Sequence, residues 1–176
     1  MRSPGLPAIA AAAAFLGATA AASAADSQIE RGKYLVSFAG CNDCHTPGYF
    51  LGKPDFAHAL SGSDVGFAIP GVGAVVGRNL TPDKETGLGD WTAEQIITAF
   101  TTGVRPDGRK LSPIMPYMEL ANLSKDDAQA IAAYLKSLPP VKNAVPGPFG
   151  PKEVPSRLVF VIVPGEVFSR MPAPPQ

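Results

Sequence analysis

Cys41 and Cys44, the only two cysteines, are separated by two residues, and His45 follows directly in the stretch FAGCNDCHTP. Such side chains can form a disulfide, exchange thiols or bind a metal. A disulfide across so short a loop would restrict the unfolded chain very little. Thiol exchange at C-x-x-C is typical of a βαβ setting, whereas this motif lies between a helical segment and a long loop. Zinc needs about four ligands, and His58 is the only other histidine.

The remaining interpretation of this motif is covalent haem attachment, for which C-x-x-C-H is the recognised pattern. On one helical turn Cys41 and Cys44 lie on the same face, where both sulfurs can form thioethers to the two vinyl groups of a porphyrin. His45 then stands beside the ring and can place its imidazole on the iron. The motif therefore predicts one covalently bound haem c with His45 as an axial ligand.

The second axial ligand decides what such an iron does. Iron bound by His alone is open to oxygen or peroxide, whereas His–Met ligation closes the site and raises the reduction potential. Met115 is the predicted ligand, because the proline-flanked segment LSPIMPY between two helices can cross the haem face opposite the motif. Met118 lies nearer the next helix, and Met171 lies in the tail. Met118, His58 and an open site remain alternatives.

Composition narrows the class of protein. The 176 residues carry a formal net charge of zero, so charge gives no indication of binding to nucleic acid or to an anionic membrane. The 18 Gly and 19 Pro indicate much loop and little regular structure. We expect one small domain with appendages.

The N-terminus resembles an export signal. Arg2 precedes the apolar run LPAIAAAAAFLGATAAASA, which ends at Ala22 to Ala24, a small-x-small cleavage pattern. A membrane anchor is the alternative, but the run is short and weakly hydrophobic. We therefore predict a signal peptide over residues 1–25 and a periplasmic mature protein.

Three helices carry start signals and apolar residues at helical spacing. The capping pairs are Ser27 with Glu30, Thr92 with Gln95, and Ser124 with Asp127. The first predicted helix begins near Gln28 and runs into the cysteine motif, and Pro139-Pro140 ends the third. The Gly-rich chain between the first two helices is longer than a compact domain normally tolerates, unless it wraps a cofactor that serves as core.

Four stretches between about residues 30 and 143 carry a specific resemblance: RGKYLVSFAGCNDCHTP, RNLTPDKETGLGDWTAEQIITAF, GVRPDGRKLSPIMPY and LSKDDAQAIAAYLKSLPPVKN. The chain resembles class I c-type cytochromes, and more narrowly the haem domains of bacterial periplasmic dehydrogenase cytochrome subunits, such as that of quinoprotein alcohol dehydrogenase. The resemblance implies an all-α fold, with three main helices and long loops around one covalently attached haem. It also implies that Cys41 and Cys44 attach the haem, that His45 is proximal and that Met115 is distal.

Two further expectations concern this domain, predicted over residues 26–143. The resemblance implies that the first and last helices cross, with Gly32 packed against Tyr134. Buried haem propionates need hydrogen-bond donors. The candidate donors flank the wrapping loop and the ligand loop: Arg78, Asn79, Trp91 and Tyr117.

Residues 144–176 form a predicted extended, Pro-rich C-terminal tail outside the shared haem domain. Its stretch RLVFVIVPGEVF is too apolar to lie fully exposed. The patch could dock on another subunit by adding a strand or filling a groove, or it could cover this chain's own haem domain. The sequence leaves both possibilities open.

The predicted function is single-electron transfer by Fe(III)/Fe(II) cycling, not enzymatic catalysis. A periplasmic dehydrogenase is the expected donor, and another cytochrome or a terminal oxidase is the expected acceptor. A haem enzyme or gas sensor with a displaceable sixth ligand is the alternative. Many of the resembling subunits repeat the haem domain three times, whereas this sequence contains a single C-x-x-C-H motif.

Overall fold

The computed structural model describes residues 25–172. Its α-helices are α1 (residues 25–38), α2 (Cys41–His45), α3 (Ala93–Thr102), α4 (Tyr117–Leu120), α5 (Lys125–Ser137) and α6 (Gly165–Phe168). Two short 3-10 helices span Tyr49–Leu51 and Phe56–His58, and the strands are β1 (Val65–Ile69), β2 (Gly73–Val76) and β3 (Leu158–Val161). The signal peptide predicted for residues 1–25 lies, apart from its last residue, outside the described residues.

Helices α1, α3 and α5 pack around one apolar core. A Cβ built on Gly32 of α1 would lie 2.0 Å from the carbonyl oxygen of Ala130 and 2.7 Å from Cβ of Tyr134, both in α5. The predicted crossing of the first and last main helices at Gly32 is therefore confirmed. The buried cluster that joins the helices consists of Leu35, Val36, Leu60, Leu88, Ile96, Phe100, Ala128, Ile131, Ala132 and Leu135.

The second and third capping signals operate as predicted. The Thr92 hydroxyl accepts from the Gln95 N–H at 3.2 Å, and the Gln95 side chain accepts from the Thr92 N–H at 2.9 Å. Ser124 accepts from the Asp127 N–H at 3.1 Å and starts α5. The first helix is present and leads to the cysteine motif, but its predicted start was wrong, because α1 already includes residues 25 and 26 and Ser27 is not its N-cap.

A three-stranded sheet in the order β2-β1-β3 corrects the all-α expectation. Strand β1 pairs antiparallel with β2, opposing Phe67 to Val75, and parallel with β3, opposing Phe67 to Phe160. The hairpin lies inside the wrapping loop. Its many Gly and Ala residues weaken the alternating pattern that would have revealed a strand.

The apolar patch of the tail thus lies on this chain's own domain, where β3 continues the sheet. Its side chains remain largely exposed, with Leu158 at 62% and Ile162 at 53%. Across residues 25–172, no helix combines the length and the apolar character needed to span a bilayer.

Candidate haem site

A cavity of about 650 Å³ lies between α2, the β1–β2 hairpin, α3, α5, the loop that carries Met115, and the tail. This volume falls within the range of ligand-binding sites. Core residues from α3 and α5, among them Ile96, Phe100, Ile131 and Leu135, form part of its wall. The hydrophobic core is therefore open on one side, as expected if a large apolar group completes it.

Helix α2 presents Cys41 and Cys44 to this cavity as free thiols. Gly40 precedes the helix in the left-handed conformation, with φ 69°, and allows the sharp turn out of α1. Burial raises the pKa of the Cys41 thiol to about 11 and also raises that of Cys44. Thiol exchange requires a thiolate, so these neutral thiols do not suit it. Residues 25–172 contain no cluster of three or more Cys, His, Asp or Glu side chains suited to a metal ion such as zinc.

His45 is buried against the same cavity, and its imidazole is fixed by the main chain. Nδ1 lies 2.7 Å from the carbonyl oxygen of Arg78. A carbonyl oxygen can only accept, so Nδ1 carries the proton and Nε2 keeps its lone pair for a metal. Burial lowers the pKa of His45, although the bond to Arg78 opposes that shift. The neutral, oriented ring has the form that a haem ligand requires.

Gly77 lets the hairpin pass close to α2. A Cβ at this position would lie 1.6 Å from the carbonyl oxygen of Cys44 and 3.4 Å from Nδ1 of His45. Only glycine leaves space for this approach, which brings the Arg78 carbonyl to the imidazole. The sequence interpretation missed Gly77. Its position immediately before the predicted propionate donor Arg78 was the only indication of a role.

Met115 lines the cavity, as do the flanking Pro113 and Pro116. The Met115 N–H donates to the Ser112 carbonyl at 3.0 Å, and the Met115 carbonyl accepts from the Tyr117 N–H at 2.8 Å. These two bonds form tight turns on either side of the methionine.

The competing ligands lie elsewhere. Met118 is 63% exposed and Met171 is 47% exposed. The His58 ring pairs with Asp55 at 2.7 Å on the surface. Among the described residues, Met115 is the methionine that lines the cavity together with His45.

The structure separates the four predicted propionate donors. Arg78, Asn79 and Trp91 line the cavity, whereas Tyr117 is not among its lining residues. The Tyr117 ring instead packs on Gly103, 2.9 Å from a Cβ built there.

Asn79 is 1% exposed, and its side-chain amide already has protein partners. The amide nitrogen donates to the Thr86 hydroxyl at 3.0 Å and to the Val141 carbonyl at 2.7 Å. The side-chain oxygen accepts from the Thr81 N–H at 2.9 Å. Both of its N–H groups are occupied, so Asn79 holds the surrounding chain together in this arrangement.

The cavity is electropositive. Arg78, Arg105, Arg109 and Lys110 line it, and its lining among the described residues includes no carboxylate side chain. Burial lowers the pKa of Arg78, and the charges of Arg109 and Arg105 lower it further. Arg105 lies 5.0 Å above the Trp91 ring. An apolar cavity that is lined by several cations suits an apolar macrocycle that carries carboxylates. The sequence interpretation missed Arg105 and Arg109.

Two thiols and an oriented imidazole on one wall, a thioether among the other lining residues, and a cationic region together fit haem c. Residues 29–139 match the family model described as Cytochrome c. The chain belongs to the cytochrome c family, whose members carry covalently bound haem c. The resemblance noted in the sequence is confirmed.

The chain is similar to several cytochrome subunits of dehydrogenases. It is 37% identical over 118 residues to the cytochrome c subunit of quinone alcohol dehydrogenase from Gluconobacter oxydans, covering 67% of this chain and 23% of that protein. It is 36% identical over 135 residues to the fructose dehydrogenase cytochrome subunit from Gluconobacter japonicus, covering 73% and 26%. For the gluconate 2-dehydrogenase cytochrome c subunit from Pantoea cypripedii the identity is 35% over 120 residues, covering 68% and 25%. The matched region thus spans about a quarter of each relative.

Proposed function

We propose that this chain is a periplasmic monohaem c-type cytochrome that carries single electrons between a dehydrogenase and a respiratory acceptor. The observation that carries the proposal is that Cys41, Cys44, His45 and Met115 line one largely apolar cavity. Haem c bound there supplies an iron that cycles between Fe(III) and Fe(II). The single C-x-x-C-H motif of the sequence supports one haem.

The four residues divide the work of holding the cofactor. Cys41 and Cys44 would attach it through thioethers. His45 would bind the iron through Nε2, since Nδ1 donates to Arg78. Met115 would supply a thioether sulfur to the iron and close it to small molecules, which favours electron transfer over a peroxidase-like or gas-sensing role.

The cationic residues that line the cavity would hold the propionates. Arg78 and Trp91 are the favoured donors among the four candidates. Both line the cavity, and Arg78 keeps further N–H groups beyond the two bonds that its guanidinium makes to Val145 and Gly147. Asn79 supports the surrounding loop instead, and Tyr117 lies at Gly103. A guanidinium and an indole N–H both donate to a carboxylate.

The proposed partners are based on the relatives, and the proposed location is based on the N-terminal sequence. The relatives are named as cytochrome subunits of dehydrogenases, which supports a dehydrogenase as the electron donor. The predicted acceptor is another cytochrome or a terminal oxidase. The export signal in the sequence supports a periplasmic location, and the exposed side chains of β3 offer a surface where a dehydrogenase subunit could dock.

Spectroscopy and kinetics of the purified holoprotein test this proposal. We expect one haem per chain, a low-spin ferric spectrum with a weak near-infrared sulfur-to-iron band, and rapid reduction by a periplasmic dehydrogenase given its substrate. A high-spin ferric spectrum that changes on addition of peroxide or carbon monoxide would instead establish the haem enzyme or gas sensor.

A further inference from the structure

The segment of residues 141–150, here called the strap, lies beyond residues 29–139, which match the family model, but forms part of the candidate haem cavity. Pro148 and Phe149 of the strap line the cavity. Phe149 pairs with Ala74 of β2 through two main-chain hydrogen bonds of 2.8 and 3.0 Å. The strap therefore closes a side of the cavity that the three main helices leave open.

The strap is anchored along its length by groups inside the domain. The Val141 carbonyl accepts from the Asn79 amide at 2.7 Å, and the Asn143 amide donates to the Ser61 carbonyl at 2.9 Å. Val145 is only 7% exposed. A Cβ on Gly62 would lie 2.3 Å from Cγ2 of Val145, so the glycine provides the space for this side chain.

Arg78 connects the strap to His45, the proposed iron ligand. Its guanidinium donates to the carbonyl oxygens of Val145 and Gly147 in the strap. Its own carbonyl accepts from Nδ1 of His45 at 2.7 Å. One residue thus contacts the strap with its side chain and the imidazole with its main chain.

We propose that the strap is a built-in wall of the haem cavity that raises the reduction potential and, through Arg78, positions His45. This proposal rests on the proposed haem-binding function. Oxidised haem carries one more positive charge than reduced haem, so water admitted to the cavity stabilises the oxidised form and lowers the potential. Arg78 acts as a positioning residue, because the strap holds its side chain and its main-chain carbonyl orients the imidazole of His45.

Two variants of the full-length holoprotein test the two parts of this proposal. Phe149→Ala removes a wall side chain without changing charge, and we expect a lower potential and faster reduction by a small hydrophilic reductant such as ascorbate. Phe168→Ala is the matched control, because this phenylalanine of the same tail is 71% exposed in α6. Equal reduction potentials and equal rates of reduction by ascorbate in wild type and Phe149→Ala would refute the proposal that the strap acts as a wall of the cavity.

Arg78→Lys keeps the positive charge but loses the planar fork that reaches two carbonyls. We expect faster amide hydrogen exchange at Phe149 and an altered ferric electron paramagnetic resonance spectrum, which reports the orientation of the axial imidazole. Arg157→Lys makes the same change at an exposed position of the tail and should alter neither. If Arg78 acts only on the propionates, the potential changes while exchange at Phe149 does not, and that result overturns the link.

The strap and the proposed function can fail separately. The potential, the exchange rate and the resonance spectrum are measured without a physiological partner. If wild-type protein accepts no electrons from any dehydrogenase while the potentials and spectra of the variants change as expected, the role of the strap is supported and the carrier function is refuted. If a dehydrogenase reduces all variants and their potentials match that of wild type, the carrier function is supported and the role of the strap is refuted.

Discussion

The carbonyl oxygen of Arg78 accepts a hydrogen bond from Nδ1 of His45 at 2.7 Å, across 33 positions of sequence. A main-chain acceptor cannot be removed by changing the side chain at that position. The orientation of the imidazole therefore depends on the path of the hairpin past α2, and Gly77 determines how closely the two approach.

Gly77→Ala should disrupt this approach. The added Cβ would lie 1.6 Å from the Cys44 carbonyl, so either α2 or the hairpin has to move. We expect a loss of stability of about 3 kcal/mol or more, a lower yield of attached haem and a perturbed axial histidine. Thermal unfolding and haem content measure these effects. Gly165→Ala is the control, because nothing lies within 4 Å of a Cβ there, and its unfolding temperature should equal or exceed that of wild type.

Met115→Ala should abolish the near-infrared sulfur-to-iron band and lower the reduction potential, because Met115 is the described methionine that lines the cavity. Met118→Ala should preserve both properties, since Met118 is 63% exposed. Absorption spectra and redox titration of the two holoproteins provide the measurement. Loss of the band in Met118→Ala alone would show that the ligand was assigned to the wrong methionine.

Trp91→Phe should change how the potential depends on pH. The substitution keeps an aromatic ring beneath Arg105 but removes the indole N–H. A propionate that loses a donor to its charged form has a higher pKa, so the pH-dependent step of the potential should move upward. Tyr117→Phe removes the hydroxyl of a ring that packs on Gly103. The pH dependence of its reduction potential should match that of wild type. The reverse pattern would place a propionate at Tyr117.

Asp127→Asn should weaken the contact between α1 and α5 in a pH-dependent way. The hydrogen bond from Arg31, at 2.8 Å, lowers the pKa of Asp127. A lowered folded-state pKa gives stabilisation that is present above the unfolded-state value, about 3.9, and is lost as pH falls through the folded value. Wild type should therefore unfold at a higher temperature than the variant at pH 7, and the difference should vanish at strongly acidic pH.

Asp126→Asn controls for this experiment, because it removes the same charge from the first turn of α5. The 51% exposure of the Arg31 side chain makes the pair sensitive to screening. Thermal unfolding is measured across pH at low and high salt. The decrease in unfolding temperature at pH 7 should be larger for Asp127→Asn than for Asp126→Asn, and it should diminish at high salt. Identical melts for the two variants would leave the Arg31 pair without a measurable role.

Local signals account for what the sequence predicted well. The capping box at Thr92 and the cap at Ser124 require only residues three positions apart, so both helix starts were identified. Met115 was selected because its flanking prolines indicated an extended segment. The segment forms turns instead, but Met115 lines the cavity as predicted. The family resemblance supplied the contact between Gly32 and α5, which no local pattern reveals.

Contacts between distant segments account for what was missed. Strand β3 pairs with β1 from far along the chain, and no short-range pattern specifies such a partner. Asn79 was predicted as a propionate donor from its position, but its partners include Val141, 62 positions away. Arg105 and Arg109 were missed, because no local pattern places these residues in the lining of a cavity that is built from distant segments.

The bond from Arg78 to Val145 joins residues 67 positions apart, and Phe149 follows later still. A chain is synthesised from its N-terminus, so the cysteine motif emerges well before the strap that covers the cavity. The strap can therefore complete its side of the cavity only after the cysteine motif has been made. The order of these two parts along the chain fixes the order in which they become available to a cofactor.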